Sequence, residues 1–312
     1  MRIIFMGNPA FAIPSLNAIL ESSHEVVAVI SNPEKRMGRG KTLSHTPVGQ
    51  FAIEKGLNLI QANLLKDPDL HSRLRDLNAD LNVVVAYRIL PQLMIDIPRI
   101  GSINVHASLL PKYRGAAPIQ WALMNGDHET GVSTFFIERK VDTGKIIHQK
   151  QTPIDIGDDY ESLSSKLSEL GSALLLESLN DIELGKNVGI SQDDTLMTRA
   201  PKISREMTHI NWEESGETIA NWIRGLSPKP GMSTQYKGKN IRLFQCEWIV
   251  KQIGNSYPGS IYEVDNQYIE IITGNGLLRV YELQLEGKRR MPVQDFLAGN
   301  KIQKGEYLGE TF

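Results

Sequence analysis

The chain has 312 residues, 41% of them hydrophobic and 22% charged, with a formal net charge of -2. That length predicts two domains, and the composition excludes a disordered polypeptide. A slightly acidic total also excludes a protein that holds nucleic acid by bulk charge, so any such contact must come from a local basic patch.

The N-terminus enters an apolar run at once (RIIFMG, residues 2–7), without the basic region, apolar core and cleavage site of an export signal; a cytoplasmic protein is expected. Residues 2–7 and 25–32 read as strands, with a helix between them from about Ala12 to Leu20. The first strand ends in Gly7-Asn8-Pro9, so the G-x-G-x-x-G fingerprint of dinucleotide enzymes is missing, although the layout resembles a nucleotide-binding fold.

Residues 33–50 (PEKRMGRGKTLSHTPVGQ) read as a mobile loop, with Lys35, Arg36, Arg39 and Lys41 set against one acid, Glu34. Such a loop is suited to phosphates, although a plain solvated loop has the same composition. Residues 81–86 (LNVVVA) form the branched apolar run of a parallel strand covered on both faces. The longest apolar runs, among them Val83 to Tyr87, are far short of the roughly 20 residues that span a bilayer, so no membrane association is expected.

Short apolar runs at 101–105 and 132–138 extend the open α/β sheet, and residues 161–184 carry Leu163, Leu167, Leu170 and Leu174 at the spacing of a core-facing helix stripe. Residues 186–206 are polar and interrupted, as in a linker running over the surface. A short helix is predicted at 214–224, closed by LSPKPG. Segments 238–249, 259–264, 268–273 and 277–285 then read as strands of a small barrel or sandwich. The single cysteine, Cys246, lies among them and reads as a small buried hydrophobe.

The chemistry concentrates in GSINVHASLLPKYRGAAP, residues 101–118. On a strand, Asn104 and His106 are two apart and point to one side, at the C-terminal end where open parallel sheets bind ligands. An amide can donate to an oxygen gaining negative charge, and an imidazole can take up or return a proton, so the pair suits attack on a carbonyl. Two satisfied structural residues would read the same way. Asp142, in RKVDTGK, is a second candidate, and spacing alone does not decide whether it reaches His106. The histidines lack zinc-ligand spacing and there is no phosphate-binding G-x-x-x-x-G-K-[ST] loop, so no metal is expected.

Taken together, RIIFMGNPAFA, RMGRGKTLSHTPV, VVVAYRILP, INVHASLLPKYRGAAPIQWAL, VDTGKII, LSPKPG and LEGKRRM resemble the methionyl-tRNA formyltransferases, over essentially the whole chain. The wider folate-dependent formyltransferases share the Asn, the His, the LLP-x-x-x-G stretch and the later Asp. Sugar and glycinamide-ribotide formyltransferases are therefore the alternatives within the same chemistry, and a catalytically idle tRNA-binding module is the alternative outside it.

The resemblance implies a Rossmann-like, mostly parallel α/β catalytic domain at 1–188, a linker at 189–207 and an OB-like β-barrel at 208–312 that helps hold tRNA. It implies Asn104, His106 and Asp142 as the catalytic trio, with 10-formyltetrahydrofolate as formyl donor along Ala86, Tyr87, Arg88, Ile89 and Leu90 and against Ser108, Leu109, Leu110 and Pro111. Initiator methionyl-tRNA is the implied acceptor, met by Lys35, Arg36, Arg39 and Lys41 and by Arg199, Lys202 and Arg205; a monomer is expected. Two positions depart from the usual pattern: Asn8 stands where Thr is commoner, and Arg88 where Gly is commoner.

Overall fold

The computed structural model describes residues 1–37, 42–186, 189–254 and 256–309, in two compact units. One comprises residues 1–118, 129–153 and 164–201, the other residues 119–128, 154–163 and 202–312.

In chain order the first elements are β1 (Arg2–Gly7), α1 (Ile13–Leu20), β2 (Glu25–Ser31), β3 (Lys35–Met37), β4 (Thr42–Ser44), α2 (Pro47–Glu54) and β5 (Leu59–Gln61). They continue with α3 (Pro68–Asp76), β6 (Leu81–Val85), α4 (Gln92–Ile95), β7 (Gly101–His106), β8 (Arg114–Gly115) and α5 (Pro118–Met124). After them come β9 (Glu129–Phe136), β10 (Ile146–Pro153), α6 (Tyr160–Glu183) and β11 (Arg199–Ala200).

Seven strands form one sheet in the order β10-β9-β7-β6-β1-β2-β5. β7, β6, β1, β2 and β5 run parallel, while β9 and β10 close one side as an antiparallel pair, so the sheet is Rossmann-like and mostly parallel. Strands β1 and β6 are buried along nearly their whole length, which is why their sequences are continuous apolar runs. The chain leaves β1 towards β2 on one side and returns through β6 on the other. The β1/β6 boundary is thus the switch point at which such sheets open a crevice beyond the strand ends.

The leucine stripe of α6 is buried at Leu163, Leu167 and Leu174 and half-buried at Leu170. A Cβ at Gly171 would come within 3.0 Å of Val105, so glycine lets this helix lie close under β7.

Residues 33–50, read from sequence as one loop, differ in the structure. β3 and β4 pair as a short ladder, and α2 begins at Pro47 with the Thr46 side chain accepting from the Gly49 N–H. The Thr-Pro step supplies the two features that start a helix, an N-cap oxygen and a proline at the first turn.

In the second unit follow α7 (Gly216–Leu226), β12 (Met232–Tyr236), β13 (Lys239–Leu243), β14 (Cys246–Ile249), β15 (Ile261–Val264), β16 (Ile269–Ile272), β17 (Leu277–Val280), β18 (Glu282–Leu285), β19 (Met291–Pro292) and α8 (Val293–Gly299). They make two antiparallel four-stranded sheets, β12-β13-β18-β19 and β14-β17-β16-β15, around a core containing Trp212, Ile223, Met232, Ile241, Leu283 and Phe296. This is a small OB-like barrel.

Two segments read as single strands are each divided. Residues 238–249 break between β13 and β14, and residues 277–285 break at Tyr281 between β17 and β18. The breaks face each other: the Tyr281 N–H donates to the Gln245 carbonyl, and the Phe244 N–H to that of Glu282. Both strands therefore turn the corner from one sheet to the other together, which alternation in sequence does not reveal. No helix among the described residues is long and apolar enough to cross a membrane.

Candidate active site

Strand β7 places Asn104 and His106 two residues apart at its C-terminal end, opposite Phe135 and Ser133 of β9. Asn104 is half-buried; His106 is 6% exposed, with its ring edge-on to Phe135 at 6.4 Å between centroids. His106 Nε2 lies 2.9 Å from the Tyr113 carbonyl oxygen, which can only accept. Nε2 therefore carries the hydrogen, and the other nitrogen, Nδ1, is the basic one in the neutral ring. Asp142 Oδ2 lies 3.9 Å from Nδ1 and accepts from the Gly115 backbone N–H at 2.9 Å. His106 and Asp142 thus meet from β7 and from the turn between β9 and β10, with Asn104 two residues before His106 on the same side of β7.

The backbone on which these residues rest is unusual. Tyr113 has φ 61 and Asp142 φ 56, left-handed values that are rare for non-glycine residues and concentrate where a site needs a particular group aimed. Gly115 has φ 130, and a Cβ there would come within 2.5 Å of the Ala200 carbonyl oxygen. At Gly144 a Cβ would fall 1.6 Å from the Phe136 carbonyl oxygen, so no other residue fits the tight return of the Asp142 turn.

Residues 86–90 lie at the C-terminal end of β6, beside the switch point. Ala86 is exposed and has φ 49, Tyr87 and Arg88 are half-buried, Ile89 is 75% exposed and Leu90 is buried. Among the described residues, no other backbone group takes the N–H or C=O groups of residues 87–90. An open backbone edge beside an exposed isoleucine fits a flat heteroaromatic ring with polar edges. The Tyr87 hydroxyl is held above its ordinary value by burial, opposed by the Arg88 guanidinium.

Arg88 donates to the carbonyls of Ala62 and Asn63 and to the Tyr87 hydroxyl, so it ties the segment after β5 to the one after β6. Asn8, the other departure from pattern, accepts from the Ser31 hydroxyl and the Asn32 N–H, joining the ends of β1 and β2.

Residues 108–111 form the loop after β7. Ser108 is buried and spends its hydroxyl on the Lys112 carbonyl; Leu109 is half-buried, and Leu110 is buried. The loop is pinned by Ser133, which donates to the Ser108 carbonyl and accepts from the Leu110 N–H, and by Gln149, which donates to the Leu110 carbonyl. In this loop the half-buried Leu109 and Pro111 side chains remain for a ligand, while the serine hydroxyl and the carbonyls of Ser108, Leu109 and Leu110 are already engaged.

Of the basic residues, Lys35 and Arg36 are exposed on β3, and Arg39 and Lys41 lie outside the described residues. Arg199 is exposed in the first unit; Lys202 and Arg205 are exposed in the second. No group of three or more His, Cys, Asp or Glu among the described residues is placed to hold a metal ion.

Residues 190–201 behave otherwise than a linker running free over the surface. Ile190 bridges Ile146, Thr198 accepts from the backbone N–H groups of Tyr113 and Arg114, and β11 pairs with β8. Gln192, Thr198 and Tyr113 lie next to His106 and Asp142 in the candidate site, and sequence reasoning passed over them. The left-handed Tyr113 lies two residues after Pro111 and precedes Arg-Gly, a turn signal of sorts, whereas nothing local marks Gln192.

A formyl transferase family model matches residues 1–179, and a model of the formyl transferase C-terminal domain matches residues 202–301. The methionyl-tRNA formyltransferase of Caldanaerobacter subterraneus is 42% identical over 99% of this chain and 100% of its own length. That of Parabacteroides distasonis is 42% identical over 98% of each.

Among solved structures, an N-formyltransferase from Helicobacter canadensis matches 93% of this chain and 99% of its own, at 19% identity and a TM-score of 0.67. HypX from Aquifex aeolicus with tetrahydrofolic acid matches 98% of this chain at 20% identity and a TM-score of 0.66; this chain spans 51% of its length. At these identities the structures speak for the fold. The sequence relatives and the family models, matched across both units, carry the assignment: the chain belongs to the formyl transferase family, in the branch of the methionyl-tRNA formyltransferases.

Proposed function

We propose that this chain transfers the formyl group of 10-formyltetrahydrofolate to the free amino group of methionine esterified to initiator tRNA, giving N-formylmethionyl-tRNA. The observation that carries the chemistry is the placement of Asn104 and His106 at the C-terminal end of β7, the strand next to β6, with Asp142 3.9 Å from His106. The choice of acceptor rests on relatives of about the same length, at 42% identity, that bear that name.

Residues 86–90 and 108–111 would hold the folate, which supplies a formyl carbon activated on a nitrogen leaving group. The Asn104 amide donates to the formyl oxygen as negative charge develops there, a role worth about 3 kcal/mol in comparable sites. His106 receives the proton of the attacking amine at Nδ1, and the Asp142 carboxylate beside it favours the cation so formed. A new C–N bond forms to methionine, the bond to the folate nitrogen breaks, and that nitrogen takes up a proton.

We take residues 1–188 as the catalytic domain, 189–207 as the connection and 208–312 as a tRNA-holding domain. Lys35, Arg36, Arg39, Lys41, Arg199, Lys202 and Arg205 are the cations we assign to phosphate contact, which needs no excess in net charge. We place the enzyme in the cytoplasm, as a monomer.

The test is formyl transfer from 10-formyltetrahydrofolate to charged initiator tRNA, to amino-sugar nucleotides and to glycinamide ribotide in parallel. Turnover on the charged tRNA alone is the expected result. Preference for either small acceptor overturns the acceptor assignment, and inactivity on all three overturns the chemistry.

A further inference from the structure

We infer that Gln192 is a positioning residue for formyl transfer, holding the turn that aims Asp142 at His106. This rests on the reading of Asn104, His106 and Asp142 as the catalytic trio.

The turn between β9 and β10 is exposed at Val141, and the Asp142 backbone sits in the left-handed region, which Asp enters more readily than most residues but which remains uncommon outside glycine. Within the turn the Thr143 hydroxyl donates to the Lys140 carbonyl, and a side chain from outside adds to that hold. The Gln192 Nε2 group donates to two of its carbonyls, Asp142 at 3.0 Å and Gly144 at 2.8 Å. Those bonds grip the turn on either side of Thr143, while the Asp142 carboxylate is left to the Gly115 N–H and to His106.

Gln192 is itself fixed. Its Oε1 accepts from Arg114 Nε at 3.0 Å and from a terminal Arg114 nitrogen at 2.6 Å, and Arg114 also pairs with Asp194 at 2.7 Å. The Arg114 side chain is only 10% exposed. Arg114 precedes Gly115, the donor to Asp142, and follows Tyr113, the acceptor from His106. One amide thus couples the segment carrying both partners of the trio to the turn carrying Asp142. A primary amide suits this place because it accepts at one end and donates twice at the other.

The amide's two ends can be separated by substitution. Gln192→Glu keeps an acceptor, and a stronger one, for Arg114, but a carboxylate cannot donate to the turn carbonyls and would repel them. A role limited to packing or to satisfying Arg114 predicts that this variant is nearly normal. The positioning role predicts that turnover on charged initiator tRNA falls about 10-fold or more, with the KM for 10-formyltetrahydrofolate within about twofold of wild type. Gln192→Ala, which removes both ends, should lose at least as much turnover and, unlike the glutamate variant, also melt at a lower temperature.

A double-mutant cycle with Asp142→Asn completes the test. Once the Asp142 charge is gone, adding Gln192→Glu should cost much less than it does alone. Wild-type turnover in Gln192→Glu, or losses that multiply strictly across the cycle, overturns the inference while leaving the trio standing. Near-normal turnover in Asp142→Asn overturns the trio, and the inference with it.

Discussion

Asn104 and Arg88 show how differently two polar side chains at neighbouring strand ends can be employed. Asn104 lies near the end of a buried strand and is half-buried, two residues before a histidine whose Nε2 is already committed to Tyr113. If that amide donates to the reacting oxygen, Asn104→Ala should lower kcat about 100-fold and leave the folate KM within a fewfold, because the charge it meets exists only in the transition state. Steady-state kinetics with both substrates varied decides this; near-normal kcat would refute the role. Arg88 instead binds three oxygens of its own protein, so its cation serves as a brace between two loops. Arg88→Ala frees two carbonyls and the Tyr87 hydroxyl, and is expected to raise the folate KM several-fold with little change in kcat. A fall in kcat at unchanged KM would mean that the brace acts on the chemistry and not on the folate edge. Cys246 packs against the barrel core, and burial pushes its thiol up to about 12, in keeping with its reading as a small hydrophobe.

At the scale of elements, the turn between β9 and β10 carries the strongest constraint near the trio. A Cβ at Gly144 would overlap the Phe136 carbonyl, and that carbonyl belongs to the strand the turn must leave, so neither partner can yield alone. Gly144→Ala is therefore expected to move the turn by about an ångström, which near a reacting centre can cost roughly 100-fold in turnover. The melting temperature should fall by several degrees as well. Turnover assays set beside a melting curve check both, and an active, unshifted variant would show that the turn relaxes without disturbing Asp142. The strap formed by residues 190–201 works at the same scale. Its Thr198 hydroxyl and carbonyl support Tyr113 and Arg114, so the loop that carries the partners of His106 and Asp142 is held by chain that follows α6 and not only by the sheet.

At the scale of the whole molecule, a pH dependence of stability is expected from a carboxyl far from the site. The Asp80 carboxyl is held below its ordinary value, chiefly by the Arg2 backbone N–H and then by Arg99, and so ties β1 to the segments on either side of β6. A carboxyl lowered by folding contributes stability that is complete above its ordinary value and is lost as pH falls through the lowered one. Asp80→Asn should therefore melt lower than wild type at pH 7, by about 1–3 °C given how exposed the pair is. That difference should shrink as the pH is taken below the ordinary carboxylate range. Melting curves from pH 7 to pH 3 test the sign; a gap that widens on acidification would contradict it.

The parallel strands and the long helix were legible because each is coded by neighbours in sequence. Residues 81–85 are buried on both faces and so are almost wholly apolar, and α6 repeats leucine at helical spacing. Asn104 and His106 were legible for the same reason, since two residues apart on a strand fixes one side. The corner between β13 and β14, facing the one between β17 and β18, was not legible, because it arises when two strands change sheets together and leaves each sequence as a plain β pattern. The 3.9 Å approach of Asp142 to His106 likewise depends on where β9 returns against β7. By itself the sequence determined the parallel strands, the long helix and which residue types stand at the strand ends, because period and side-chain chemistry are local properties. Only the tertiary structure decided that Gln192, 50 positions beyond Asp142, grips that residue's turn, because a side-chain amide reaching backbone carbonyls leaves no pattern in the chain that supplies them.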